Sequence, residues 1–154
     1  MTKPKGRSAV NNVKKYVLGF MFNPEATSVL LIRKNRPDWQ RGLLNGIGGK
    51  VNEFETPMNA IIREFREETG VDVGENWDCR ILLMNRIISY NIWIFSVFSK
   101  EIHHADALTD ESLSLVPVSL IPSMNEVIPN LKWMIPLILD KTISMSEVYD
   151  RGPR

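Results

Sequence analysis

Residues 49–71 read GKVNEFETPMNAIIREFREETGV, and this stretch decides the fold. It sets Glu55, Glu64, Glu67 and Glu68 around Arg63, with Gly49 at its start and Gly70 near its end. Thr56 suits a helix N-cap, Pro57 the first helical position and Gly70 a left-handed stop, so a helix is predicted up to about Thr69. Ile61 and Phe65 form an apolar i, i+4 pair, and Met58 and Ile62 form another; these would anchor the helix to a sheet. Glu64, Glu67 and Glu68 stand at i, i+3 and i+4, so they project from one face. Like charges at that spacing weaken a bare helix by a few tenths of a kcal/mol per pair. Charge runs of this kind are ordinarily solvated faces. A bound divalent cation gives this one a reason, because hard cations take oxygen ligands, often one or two carboxylates plus substrate phosphates.

The surrounding pattern favours the cation. The stretch matches G-x5-E-x7-R-E-U-x-E-E-x-G-U, with U apolar, at Gly49, Glu55, Arg63, Glu64, Phe65, Glu67, Glu68, Gly70 and Val71. With ordinary residue usage, a chance match in a chain of this length is roughly one in ten million. This is the Nudix box, and the chain resembles the Nudix hydrolase family. The box covers 23 residues, and a looser resemblance extends over most of the chain.

At 154 residues the chain suits one domain with a proper core. Its formal net charge of +1 gives no global field toward nucleic acid or membrane. The exception is the start, where Lys3, Lys5, Arg7, Lys14 and Lys15 occur with no acid among them. Residues 1–12 read as a flexible basic arm, 13–142 as the folded domain and 143–154 as a C-terminal tail. The single cysteine, Cys79, excludes an internal disulfide and a cysteine-rich zinc site, and reads as a buried small hydrophobe. No apolar run approaches the roughly 18 residues needed to cross a bilayer, so a cytoplasmic protein is expected.

Residues 15–22 and 27–33 are β-rich, with turn chemistry at Asn23 and Pro24. A polar loop then leads into LLNGIGGK, residues 43–50, whose glycines permit close approach to a ligand. Further strands are expected over 79–89, 92–99 and 112–118, with a break near Tyr90 and Asn91. A second helix is expected over 125–139, strained by Pro129 and Pro136. Strands, helix, strands, helix suggest an α/β fold with a mixed β-sheet between helices, and the family resemblance implies the same α/β/α sandwich, the Nudix fold.

The resemblance also implies chemistry. Nudix enzymes hydrolyse a nucleoside diphosphate linked to another group. Mg²⁺, or Mn²⁺ in its place, would neutralise the pyrophosphate charge, hold the phosphates and activate a water. Carried over by position, Glu64, Glu67 and Glu68 match the metal ligands, and Glu64 or a nearby carboxylate would orient or deprotonate the water. Gly48 matches a backbone-carbonyl ligand, and Lys50 a lysine facing the phosphates. Arg63 and Glu55 match a bracing pair that sets the glutamate geometry. One further carboxylate often comes from a later loop. Of Asp106, Asp110 and Glu111, the spacing favours Glu111, whose bland alternative is an exposed loop acid.

Substrate preference is read more softly. LLNGIGGKV and the late PNLKWMIPLIL look like the branch that cleaves oxidised purine nucleoside triphosphates. There an asparagine before the glycines reads the base, and Asn45 matches it. The same branch has an acidic pair where this chain has Pro129 and Asn130. Asn130 can donate and accept, but it lacks the protonation-dependent recognition of paired carboxylates. Trp39, in the polar loop, could stack on a base, although a loop anchor is the favoured reading. Trp133 and Trp93 read as core, His103 and His104 as solvated, and Lys34 and Arg36 as surface charges by default.

The expected reaction is cleavage of a purine (d)NTP to monophosphate and pyrophosphate. ADP-ribose and dinucleotides such as NADH or a diadenosine polyphosphate are alternative substrates. A nucleotide-sensing module without catalysis would usually lack a box glutamate, and none is lacking here. Capped RNA would need more basic surface, so nucleic acid is not the favoured partner, and no membrane is expected. A homodimer remains open.

Overall fold

The computed structural model describes residues 12–151. The basic arm expected over residues 1–12, with Lys3, Lys5 and Arg7, lies outside the described residues except at its last position. Lys14 and Lys15 are exposed positions of the first strand.

Ten regular elements follow: β1 (Lys14–Phe22), β2 (Ser28–Arg33), β3 (Leu44–Asn45), β4 (Ile47–Lys50), α1 (Pro57–Thr69), β5 (Asp78–Asn85), β6 (Tyr90–Phe98), β7 (Leu113–Pro117), α2 (Leu131–Leu139) and β8 (Ser146–Tyr149). The strands build one mixed eight-stranded sheet in the order β3-β2-β1-β6-β5-β8, with β4 on β1 and β7 on β2. Its spine is the parallel pair β1–β6, in register from Lys14 opposite Tyr90 to Phe22 opposite Phe98.

Strand alternation sorts the side chains into two cores. Val17 and Met21 of β1, with Leu30 and Ile32 of β2, face α1 and meet its Ala60, Ile61 and Phe65. Phe20 and Phe22, with Val29 and Leu31, point the other way and meet Leu131, Met134, Ile135 and Ile138 of α2. A helix therefore covers each face, as the α/β/α expectation required. No helix among the described residues is long and apolar enough to cross a membrane.

Helix α1 forms where its local signals place it. The Thr56 side chain accepts from the Asn59 N–H at 3.1 Å, and Pro57 opens the helix. Gly70 closes it at φ 76°, donating its N–H to the Arg66 carbonyl. An L side chain at that angle would be strained, which is why glycine suits the position.

Other boundaries differ from expectation. The second helix starts at Leu131, not 125. Pro129 disfavours helical angles at Ile128, and residues 126–128 pair instead with β3: the Leu44 N–H donates to the Glu126 carbonyl, and the Ile128 N–H donates to that of Leu44. Pro136 is tolerated inside the helix. The strand expected to reach residue 89 ends at Asn85, whose Oδ1 accepts from the N–H groups of Ile87 and Ile88. Tyr90 and Asn91 thus belong to β6 and not to the break. Within the segment expected as a tail, Ser146–Tyr149 forms β8, which joins the sheet parallel to β5. The turn before α1 holds Phe54 at φ 64° and 99% exposed, so this aromatic bears left-handed backbone strain with no packing to offset it.

Candidate active site

Helix α1 carries the acidic face, and Arg63 organises it. Its Nε and Nη2 donate to the two Glu55 carboxylate oxygens at 2.8 Å each. Nη1 donates to Glu64 at 2.8 Å and to Glu67 at 3.3 Å. Nη2 also reaches the Lys50 carbonyl at 3.0 Å, which ties the helix to the end of β4. The planar guanidinium can serve all of these because its donors form a rigid fork. Its hydrogen bonds to Glu55 hold that carboxyl well below the usual range, at about 2, and the Glu55 carboxylate in turn raises the Arg63 pKa. Glu55 also accepts from the Asn52 N–H at 3.0 Å, so the loop before the helix is braced as expected.

The remaining acids sit under strain of a different kind. Burial pushes the Glu64 carboxyl up, while Arg63 opposes the shift. Burial pushes Glu68 up to about 7; Lys34 opposes this, and the charges of Glu64, Glu111 and Glu67 add to it. Glu68 Oε2 is buried without a hydrogen-bond partner. Glu67 is more exposed, at 55%.

Glu111 is not the exposed loop acid of the bland alternative. It is 5% exposed, lies 3.2 Å from Lys34 Nζ, and accepts the Asn35 N–H at 2.5 Å. Its loop is threaded past the helix end: the Asp106 and Leu108 N–H groups donate to the Thr69 and Glu68 carbonyls. Asp110 instead pairs on the surface with Arg36 at 2.8 Å, and Asp106 is exposed.

These carboxylates approach one another without forming a closed cage. Among the described residues no three His, Cys, Asp or Glu side chains are gathered as a metal site. The Arg63 contacts account for part of this, since they turn Glu64 and Glu67 toward the guanidinium. The donor set nevertheless fits a hard divalent cation. It is all oxygen, partly desolvated, mutually repulsive, and includes one buried oxygen with no donor.

Gly49 joins this cluster to a large cleft. A Cβ at Gly49 would lie 2.4 Å from Glu64 Oε1, so the absent side chain is what lets that carboxylate rest against β4. Gly49→Ala is therefore expected to displace the flexible Glu64 terminus, leave the fold intact, and lower turnover by about tenfold or more. Steady-state rates beside a thermal melt would check this; an unchanged kcat would show that Glu64 placement is unimportant.

The cleft encloses about 1110 Å³ and is bordered by Gly48, Gly49 and Lys34. It lies on the sheet face opposite α1, beside the first turns of α2. Asn45, Asn130 and Trp39 all line it. Asn45 Nδ2 donates to Gln40 at 3.1 Å, and its Oδ1 accepts from the Gly46 N–H at 2.8 Å, which fixes the amide orientation. Trp133 Nε1 donates to Asn130 Oδ1 at 3.3 Å. Trp39 is 66% exposed, so it is not the loop anchor expected of it. Trp133 is 36% exposed and borders the cleft, so it is not core. Lys50 is exposed, and its carbonyl is the part engaged by Arg63. Trp93 packs against the α1-side core, His103 and His104 are exposed, and Cys79 is half-buried with its thiol pKa raised by burial.

Gln40, Tyr16, Tyr90 and Asp150 also line the cleft and were not singled out from sequence. Tyr16 shares a period-2 face with Leu18 and Phe20, a signal that could have found it. Asp150 follows β8 and carries no such local mark.

The NUDIX domain family model matches residues 14–126. No curated protein matches the chain. Among solved structures, a MutT protein from Bacillus halodurans is similar, with a TM-score of 0.70 and 19% identity, covering 89% of this chain and 90% of that one. A MutT protein from Methanosarcina mazei has a TM-score of 0.63 at 21% identity, over 82% and 92%. A NUDIX family hydrolase from Clostridium perfringens has a TM-score of 0.64 at 17% identity, over 84% and 97%. At these identities the structural likenesses speak for the fold.

Proposed function

This chain belongs to the Nudix family of hydrolases, and on that premise we propose that it cleaves a purine nucleoside triphosphate to monophosphate and pyrophosphate, using Mg²⁺ in the cytoplasm. The observation that carries this reading is the meeting, at Gly48 and Gly49, of an acidic helix face with a cleft of nucleotide size lined by oriented amides and exposed indoles.

Glu64, Glu67 and Glu68 would hold the cation, with Glu111 and the Gly48 carbonyl as further oxygens. Bound there, the cation would supply charge neutralisation for the diphosphate linkage. The chain's own residues do the rest. Arg63 keeps the acidic side chains in a fixed arrangement, and positioning is much of what phosphoryl transfer asks of a protein. Glu64 or a neighbouring carboxylate would orient the attacking water or take its proton. Lys34 lies at the cleft border, where a cation attracts phosphates. Asn45 and Asn130 offer hydrogen bonds to a base edge, and Trp39 or Trp133 offers a ring to stack on it.

A panel of dGTP, dATP, ADP-ribose, NADH and diadenosine polyphosphate, incubated with Mg²⁺ and resolved by chromatography, tests the reading. Expected products are the purine deoxynucleoside monophosphate and pyrophosphate. Turnover confined to ADP-ribose or a dinucleotide would overturn the triphosphate assignment, and full activity in excess EDTA would overturn the metal.

A further inference from the structure

Lys34 belongs to two neighbourhoods at once. It follows β2, and its backbone is fixed on both sides: its N–H donates to the Leu43 carbonyl and its carbonyl accepts from the Gly42 N–H, each at 2.8 Å. Its side chain is not the surface charge expected by default, being only 18% exposed. The ammonium donates to Glu111 Oε1 at 3.2 Å, and its charge opposes the rise of the Glu68 carboxyl. The same residue lines the cleft together with Gly48 and Gly49. Its charge thus stands between the acidic cluster and the space where phosphates would lie.

Glu111 does not depend on that ammonium for its place. Its other oxygen accepts the Asn35 N–H at 2.5 Å, and its own N–H donates to the Thr109 hydroxyl at 3.2 Å. Without Lys34 the carboxylate would stay held, but its charge would be uncompensated beside that of Glu68. A buried carboxylate in that state calls for another cation. Lysine suits such an exchange, because its ammonium is a point charge on a flexible four-carbon stem. Arg63 does not, since its fork is engaged at once by Glu55, Glu64 and the Lys50 carbonyl.

We propose that Lys34 is a positioning residue that serves as the resting counter-ion of Glu68 and Glu111, yields these carboxylates to a divalent cation, and turns its ammonium to the phosphates in the cleft. This rests on the metal and diphosphate reading of the site, but not on which nucleotide is cleaved. Binding measured without turnover tests it. Mn²⁺ alone, followed by electron paramagnetic resonance at pH 8, is expected to bind Lys34→Met about fivefold more tightly than the unsubstituted chain, because no ammonium has to be displaced. Methylenediphosphonate with saturating Mg²⁺, followed by calorimetry, is expected to bind that variant about tenfold more weakly. Arg36→Met removes a nearby charge that pairs with Asp110 on the surface, and should alter neither affinity. Glu111→Gln frees the ammonium without deleting it. Metal-free methylenediphosphonate should therefore bind this variant about threefold more tightly, and adding Lys34→Met should cancel the gain. Unchanged or weaker Mn²⁺ binding in Lys34→Met would overturn the proposal, as would an equal gain in Arg36→Met. No gain in Glu111→Gln would overturn it too, and that variant needs no substitution at Lys34. A gain that survives in the double variant would reduce the effect to lost repulsion and overturn it as well. Absence of Mn²⁺ binding to the unsubstituted chain would sink the metal reading itself, and the proposal with it. A wrong triphosphate assignment would show in the product assay and leave these affinities intact.

Discussion

Glu68→Gln is expected to lower kcat by roughly 10²–10³ and, without metal, to raise the melting temperature by several degrees at pH 8. Both effects come from one cause. Burial, and then the charges of Glu64, Glu111 and Glu67 against the opposing Lys34, lift the Glu68 carboxyl to about 7 in the folded chain, against 4.5 for the free group. A carboxyl raised in this way favours folding below about 4.5, where it is neutral in both states. That contribution is lost as pH rises through 7, where the folded chain must hold a desolvated charge. Glutamine keeps the shape and never charges. Its stabilising effect should be large at pH 8 and vanish near pH 4.5. Cation binding offsets the same cost in the unsubstituted chain, so Mg²⁺ should raise its melting temperature more than that of the variant. Melts in EDTA at the two pH values, beside kcat with Mg²⁺, separate the outcomes. Near-normal turnover would remove Glu68 from the machinery, and a pH-independent stability difference would remove the electrostatic account. The trade of stability for activity follows from placing like charges where they are needed and not where they are comfortable.

The acidic helix was legible because its signals are local. Thr56, Pro57, Gly70 and the Ile61–Phe65 pair act within a few residues of one another, and the structure satisfies each. The late helix was overextended for the opposite reason. NEVIP carries a helical apolar pattern, yet its backbone is claimed by Leu44, more than eighty residues earlier in the chain, and Pro129 tips the choice. β8 has only four residues and exists because β5 offers it an edge. The cleft divides in the same way. Asn45 was found by its place beside the glycines, whereas Tyr90, Asp150 and Trp133 meet only through sheet register and the placement of α2. Glu111 could be chosen by spacing, but not its burial against Lys34, which depends on the loop crossing the helix end.

Arg63→Ala should be the most damaging single change to the folded chain outside its cores. The side chain is 20% exposed and its partner Glu55 15%, so the pair is largely removed from water. Deleting the guanidinium strands Glu55 and releases Glu64, Glu67 and the Lys50 carbonyl together. Breaking a mostly buried pair from one side costs roughly 3 kcal/mol, or a fall in melting temperature of about 6–12 °C for a chain of this size. Loss of glutamate positioning should add a 10–100-fold fall in turnover. Arg63→Lys would keep the charge but not the fork, so it should recover little of either. The pH dependence identifies the cause. Hydrogen bonding from Arg63 holds the Glu55 pKa at about 2, well below the usual 4.5, so its contribution is complete above 4.5 and is lost as pH falls toward 2. The stability gap between Arg63→Ala and the unsubstituted chain should therefore narrow across that acid window and stay constant above it. Chemical denaturation at pH 3 and pH 6 measures the gap. A difference that does not shrink at pH 3 would mean that Arg63 acts by packing, and that the brace between loop and helix is not electrostatic.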